Sequence, residues 1–540
     1  MTQLHDAPTR VLPPGLTDSE FDTVLAELAA AVGSEHVLTG PEDTRDFRDP
    51  FWFHGWDDYE ASAVVQPESV EEVQAIVRIA NEHKVPIWVS GVGKNNGYGG
   101  SSPRVRGSVV VNMLRMNRVL EIDEKLGYAV IEPGVRWFDL YDAIQAGGHK
   151  LRLSIADLGW GSVVGNTLDH GITYLPYGQD QQMQCGLEVV LPNGELMRTG
   201  NWGIPNSKAA HVYKRGLGPT PDQLFMQSNY GIVTKMGVWL LPTPECFMPC
   251  WLKVWKDSDL PQVIDTLREL MLAKDIEGVP QVLNTLCLAS IFTNRQQWYD
   301  GDDPMPDDVI DRVAKEMDIG RWIMRFAIYG HEDIVDLKFK RVREAFGKIE
   351  GAEVWGTKYG ADEYDKIEHP AEKVEIGIPN LDINTMTGWY GGEEGGHVAF
   401  SPAAPMTGES AVEVCGLLRD RIEKKANLDY LAALLPINAR CFIHITMVIF
   451  DTKNEEQVRG AYETSKLLVR EAGAQGYGEY RAHLDFMDLA ADQYSFNDHA
   501  YKRFTETIKD ALDPNGILMP GRHGIWPKAM RDAGVSTRGS

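Results

Sequence analysis

Residues Gly91 to Gly100 read GVGKNNGYGG, five glycines around one aromatic, Tyr98. Without a Cβ in the way, such a loop lets backbone N–H groups approach an anion, which is the chemistry of phosphate binding. It fits neither standard nucleotide motif. Asn95 follows Gly93-Lys94 where a P-loop needs Ser or Thr, and Asn96 breaks the GxGxxG spacing. A tight surface loop needing positive φ angles is the competing reading. A second glycine-rich stretch, SIADLGWGSVVGNTLDHGITYLPYG (154–178), sets Asp157 among small and apolar residues. Desolvation there perturbs a carboxylate and suits it to acid–base work, whereas a helix cap near Ser162 or a turn tie is the bland alternative. In GYGEYRAHL, Tyr480 and Arg481 are adjacent, so they reach one ligand only if the backbone bends. Otherwise they are a core aromatic beside a solvated arginine. His397, in GGEEGGHVAFSP, is either a ligand to something or a structural histidine.

These residues need a scaffold. ASAVVQP (61–67) is a short apolar run stopped by proline. The helix after it places Val70, Val73, Ile76, Val77 and Ala80 on one face, with Ser69 and Glu72 as a capping box and Lys84 before Pro86 as its end. The next strand, Ile87 to Ser90, delivers the chain into the glycine loop, so the loop closes a β-α-β unit. SVVVNM, YAVIEPGV and GLEVVLPNGELMRTG are further short strands, the last with an Asn-Gly hairpin signal. Prolines interrupt the pattern at LLPTPECFMPC (240–250), and a second α/β domain starts near 243.

At 540 residues the chain exceeds one compact core and predicts at least two domains. The formal charge of −25 repels phosphate backbones and anionic lipid, which argues against nucleic-acid and membrane-surface roles. The N-terminal MTQLHDAPTRVLPPG lacks the apolar run of a secretory signal, and stretches such as MVIF are far short of a membrane span, so the expected compartment is the cytoplasm. Six cysteines in this length fit reduced thiols, and the CxxxC of Cys246 and Cys250 has no neighbouring Cys or His to complete a zinc set, so no metal is expected.

Taken in order, SAVVQPESVEEVQAIVRIANEHKVPIW, GKNNGYGG, EPGVRWFDLY, DLGWGSVVGNTLD, GLEVVLPNGELMRTG, QSNYGIVTKMG, GGHVAFSP, GYGEYR and DPNGILMPG resemble the vanillyl-alcohol oxidase family of FAD enzymes along nearly the whole length, with its bacterial eugenol and 4-alkylphenol oxidase branch the nearest match. The resemblance implies an α+β, two-domain fold: a flavin-binding domain from residues 1–242 and 478–540, and a cap over 243–477. Ser90, Gly91, Val92, Gly93, Lys94, Asn95, Asn96 and Gly97 would cradle the FAD pyrophosphate. Leu158, Gly159, Ser162, Asn166, Gly231, Ile232, Val233 and Arg522 would complete the cofactor site. His397 matches the histidine that bonds covalently to the flavin 8α-methyl group, and His54, in a weaker match at RDPFWFHGW, the helper in that attachment.

Tyr98, Tyr480 and Arg481 match the residues that bind the substrate's phenolic oxygen, and Asp157 the acid beside flavin N5. The implied reaction is oxidation of 4-hydroxybenzyl alcohols, 4-alkylphenols or 4-allylphenols through a para-quinone methide, with O2 reduced to hydrogen peroxide. A histidyl link favours this over the cytochrome-coupled cresol dehydrogenase of the same family, which attaches its flavin through tyrosine. A non-catalytic FAD binder is the reading from another class. The chain departs from the family at NARCFIHITMVIFD, where Ile443 precedes His444 in place of a second histidine while Arg440 matches. The family's octamer-linked insertion between Trp202 and Pro219 is absent, which favours a homodimer.

Overall fold

A computed structural model describes residues 10–51, 56–179 and 182–535. The helix Val70–His83 forms where the apolar spacing places it, and all five predicted positions are buried. Its cap is half the expected box. The Ser69 side chain accepts from the Glu72 amide at 3.2 Å, but the Glu72 carboxylate reaches back to the amide of Glu68. Lys84 ends the helix in the left-handed region, φ 54°.

The strands on either side, Ala63–Val65 and Ile87–Ser90, both run parallel to Val109–Asn112, which lies between them in a four-stranded sheet. The β-α-β unit thus delivers the glycine loop at a strand's carboxyl end, where open α/β sheets bind their ligands. The far end of the chain returns to this edge. Ile87 donates to Ile517 O at 2.7 Å, and Met519 donates back to Ile87 O at 2.8 Å. Buried Lys509 pins the return, pairing with Asp513 at 2.7 Å and donating to the carbonyls of Asn229 and Leu518.

A five-stranded antiparallel sheet follows, in the order Val119–Asp123, Tyr128–Ile131, Ile232–Trp239, Gln184–Val190, Leu196–Arg198. The Asn-Gly signal marks a real hairpin, with Val190 opposite Leu196 and Gly194 at φ 83°. A nine-stranded sheet takes all its strands from residues 246 to 451. Two of its strands, Gln281–Asn284 and Trp322–Gly330, set Gln281 opposite Arg325, and another, Gly395–Phe400, carries His397. That strand touches the glycine loop, since Ala399 donates to Gly97 O at 3.2 Å. No helix among the described residues is long and apolar enough to cross a membrane.

Candidate active site

Two cavities meet at the glycine loop. One, of about 160 Å³, is lined by Ser90, Gly91, Val92, Gly93, Lys94 and Asn95 on one side. Ser162, Asn166, Gly231, Ile232, Val233 and Arg522 face them. The other, of about 250 Å³, holds Tyr98, Asp157, His397, Tyr480 and Arg481, with Asn96 and Leu158 in its wall. Lys94, Asn95, Tyr98, Gly161, Asn166 and Arg481 border both. Residues scattered over 432 positions of sequence therefore line one connected space. Gly97 lines neither cavity but packs against the His397 ring, and its φ of 75° suits glycine. Gly159 stands apart, packed against Phe138 and Pro379 and tied to Asn380 O. His54 lies outside the described residues.

The loop fits a bound phosphate. Among the described residues the amides of Val92, Gly93, Lys94, Asn95 and Asn96 donate to no protein acceptor, while those of Tyr98 and Gly100 turn back to Asn95 O. Free amides lining a cavity are what an anion requires. Among the described residues lining these cavities, His397 Nδ1, Arg481 Nε and Trp160 Nε1 are buried without a protein partner, which suits them to a polar ligand.

At one end of the larger cavity, the backbone bends at Tyr480 and Arg481, which satisfies the condition for both to reach one ligand. The Arg481 guanidinium stacks 4.5 Å above the Tyr98 ring. Its Nη2 donates to Asn95 Oδ1 at 2.5 Å and its Nη1 to Asn166 Oδ1 at 3.4 Å, so the loop and the C-terminal segment hold each other. Burial raises both Tyr98 and Tyr480 above the usual phenol value, which keeps their hydroxyls as donors. Burial also pushes adjacent Glu479 up to about 8, so it carries no competing charge at neutral pH. Behind them, Asp169 is opposed by burial yet held far below the carboxylate range by Arg522, His523 and Arg481. The result is two O–H donors and one cation around a common space, an arrangement suited to an anionic oxygen.

At the other end stands Asp157. It caps no helix: the cap of Val163–Leu168 is Ser162, which accepts from the Gly165 amide at 2.8 Å. Nor is its surrounding simply apolar, as the local sequence implied. Arg325 Nη2 donates to Asp157 Oδ1 at 2.6 Å, Gln281 Nε2 to Oδ2 at 3.1 Å, and the Tyr174 hydroxyl also to Oδ2. Gln281 and Arg325 are cross-strand neighbours, so sheet register fixes the carboxylate. Sequence reasoning missed Tyr174, Gln281 and Arg325, although an arginine inside the apolar strand WIMRFAIYG was a visible signal.

Arg325 Nε also lies 3.5 Å from Glu375, which burial pushes up to about 8 against the pull of Arg325 and with the help of Asp157. The folded protein thus keeps a proton that the unfolded chain releases above its ordinary value of 4.5, so this group costs stability as pH rises from about 5 to about 8, on the order of 1 kcal/mol per unit. Glu375→Gln is accordingly expected to gain melting temperature over wild type as pH rises through that window. A difference that stays constant with pH would remove Glu375 from this role.

His397 also lines this cavity. Burial pushes its imidazole down to about 4, which leaves the ring neutral and its nitrogen lone pair available. His444, by contrast, points away: Tyr430 and Thr446 hydrogen-bond its two nitrogens at 2.6 and 2.8 Å. Ile445 and Met447 line the cavity from that strand, Ile443 is buried in the core cluster against which Tyr480 also packs, and Arg440 is exposed. The substitution relative to the family therefore falls in the packing behind the cavity.

Comparison with known proteins finds relatives over nearly the whole chain. Residues 61–200 match the FAD binding domain family. The chain is 35% identical over 517 residues to the 4-cresol dehydrogenase [hydroxylating] flavoprotein subunit of Pseudomonas putida, covering 95% of this chain and 98% of that one. Among solved structures it is similar to 4-ethylphenol oxidase from Gulosibacter chungangensis in complex with isoeugenol, with a TM-score of 0.92 and 37% identity over 96% of this chain and all of that one. It is also similar to p-cresol methylhydroxylase with substrate bound, with a TM-score of 0.90 and 34% identity over 96% of this chain and 99% of that one. With its free-amide glycine loop and FAD binding domain, this chain belongs to the vanillyl-alcohol oxidase family of FAD-linked flavoproteins.

Proposed function

We propose that the protein oxidises para-substituted phenols at the carbon attached to the ring, with molecular oxygen as acceptor. The observation that carries this reading is the polarity of one cavity: Tyr98, Tyr480 and Arg481 at one end, Asp157 at the other. The fit to relatives named for 4-cresol and 4-ethylphenol supports the substrate class. Vanillyl alcohol and eugenol type phenols fall within it.

The glycine loop, Ser162, Asn166, residues 231–233 and Arg522 would hold FAD, with His397 as its covalent anchor. Bound flavin supplies the two-electron acceptor for the benzylic hydride and returns the electrons to O2 as hydrogen peroxide. The chain does the rest. A free phenol ionises near pH 10, and a buried guanidinium with two hydroxyl donors lowers that value, so the substrate binds as phenolate. The phenolate pushes electron density toward its para position, so that the benzylic carbon attached there can give up hydride, which would leave a para-quinone methide. Asp157, held still by three donors, then accepts the proton from attacking water or from the substrate alcohol.

Oxidation of 4-ethylphenol, vanillyl alcohol or eugenol in air by purified holoprotein, with peroxide as readout, tests the reading. A strict need for added cytochrome would instead place the protein with the dehydrogenases. His397→Ala is expected to leave flavin that acid precipitation removes, whereas wild type gives a yellow pellet; a bond that survives the substitution would mean attachment elsewhere. The working form is read as a cytoplasmic homodimer.

A further inference from the structure

A third cavity, of about 130 Å³, opens from the Asp157 end of the substrate space. The two share Asp157, Gln281, Leu283, Ile291 and Ile383, so Ile291 and Ile383 form an apolar neck between them. Beyond the neck the wall is aromatic. The His369 ring lies 5.2 Å from Trp251 and 6.4 Å from Phe292, and Phe292 is 56% exposed, so the annex reaches the surface there. Several of its polar side chains are already engaged, while the Asp382 carboxylate in its wall is exposed. Trp251 Nε1 donates to Glu372 at 2.9 Å, Asn380 Nδ2 to Pro370 O at 3.0 Å, and Thr385 Oγ1 to Ile291 O at 2.7 Å. The Arg325 guanidinium is committed to Asp157.

We infer that this annex is a subsite for the para side chain, and that the protein accepts phenols whose side chain is a long apolar tail, alkyl or aryl-terminated, rather than only ethyl or allyl groups. The inference rests on the proposed phenol-binding reading. A phenol whose oxygen sits at Tyr98, Tyr480 and Arg481 directs its para carbon toward Asp157, and the annex is the space that continues from there. Its aromatic and aliphatic walls reward methylenes, and the Asp382 carboxylate disfavours an anionic terminus. Each buried methylene multiplies affinity about four-fold, the equivalent of about 0.8 kcal/mol.

The test uses 4-hydroxyphenyl alkyl ketones, which have no benzylic C–H to oxidise, so that binding to the holoprotein is read in air from the flavin absorbance. Lengthening the acyl chain from acetyl to heptanoyl is expected to tighten Kd at least about fifty-fold, as three or more methylenes enter the annex. Ala371→Phe, which narrows the annex alone, is expected to abolish most of that gain while changing the acetyl compound by less than about two-fold. Leu288→Phe, from the facing helix Thr285–Phe292, serves as the second variant should the first fail to fold. A Kd that is flat or weakens with length overturns the annex, whatever the turnover. Length-dependent binding in a protein that does not oxidise 4-ethylphenol would keep the annex and refute the oxidase reading.

Discussion

Arg481→Ala is expected to lower kcat/KM for 4-alkylphenols on the order of a thousand-fold, raising KM and lowering kcat together. The guanidinium is buried, stacks on Tyr98 and carries an unpartnered Nε beside the cavity. Removing one partner of a buried charge-assisted pair costs about 2–5 kcal/mol, which spans that factor. Both constants move because the phenolate is bound in the ground state and still needed as charge shifts toward the para carbon. The pH profile separates this role from simple scaffolding. Without Arg481 the bound phenol loses its main source of acidification, so activity should climb with pH toward the phenol's own value near 10. Arg481→Lys keeps the charge but not the fork that reaches Asn95 and Asn166, and should recover only part of the loss. Kinetics within two-fold of wild type in the alanine variant would remove Arg481 from substrate binding.

Much of this end of the site was legible in the sequence because its determinants are local. Five glycines in ten residues mark a loop that must present bare backbone, and the strand before it follows from β-branched and aromatic residues after a capped helix. The bend at Tyr480 and Arg481 was a stated condition, and the chain meets it. The Asp157 end was not legible in the same way. Its neighbours in sequence are apolar, but its hydrogen-bond partners come from 124 and 168 residues away, on two strands of another sheet. Which side chains face it depends on the register that pairs Gln281 with Arg325, and register is a property of the assembled sheet. Tyr174 sat inside the quoted stretch and still gave no signal, since a turn tyrosine reads as core until its hydroxyl is seen to bond a carboxylate. The same limit explains His444. Alternation along Cys441–Asp451 puts it on the face opposite Ile445 and Met447, and only the packed cap shows which face lines the cavity.

Asp157→Asn is expected to lower kcat by a hundred- to ten-thousand-fold, the usual range for loss of a positioned acid–base group, with flavin still bound. The harder question is what becomes of Arg325, since a buried guanidinium stripped of its counter-ion ordinarily destabilises a fold by about 3–5 kcal/mol. Here a second carboxyl is in place. Glu375 lies 3.5 Å from Arg325 and is held protonated near neutrality by burial and by the charge on Asp157. Neutralising Asp157 removes that repulsion while the attraction of Arg325 remains, so Glu375 should ionise well below about 8 and become the new partner. The variant should therefore fold, lose activity, and lose the decline in stability between pH 5 and 8 that wild-type Glu375 imposes. Glu375→Gln should show the reverse division, keeping the Asp157–Arg325 pair and activity within a few-fold while flattening the same pH dependence. Thermal melts at pH 5, 6.5 and 8, beside kcat for 4-ethylphenol, distinguish the cases. If Asp157→Asn retains wild-type kcat, the proton acceptor is another group; if it unfolds, the two carboxyls do not share the guanidinium. One carboxylate charge beside Arg325 satisfies the fold, and only on Asp157, at the cavity wall, does it serve the reaction.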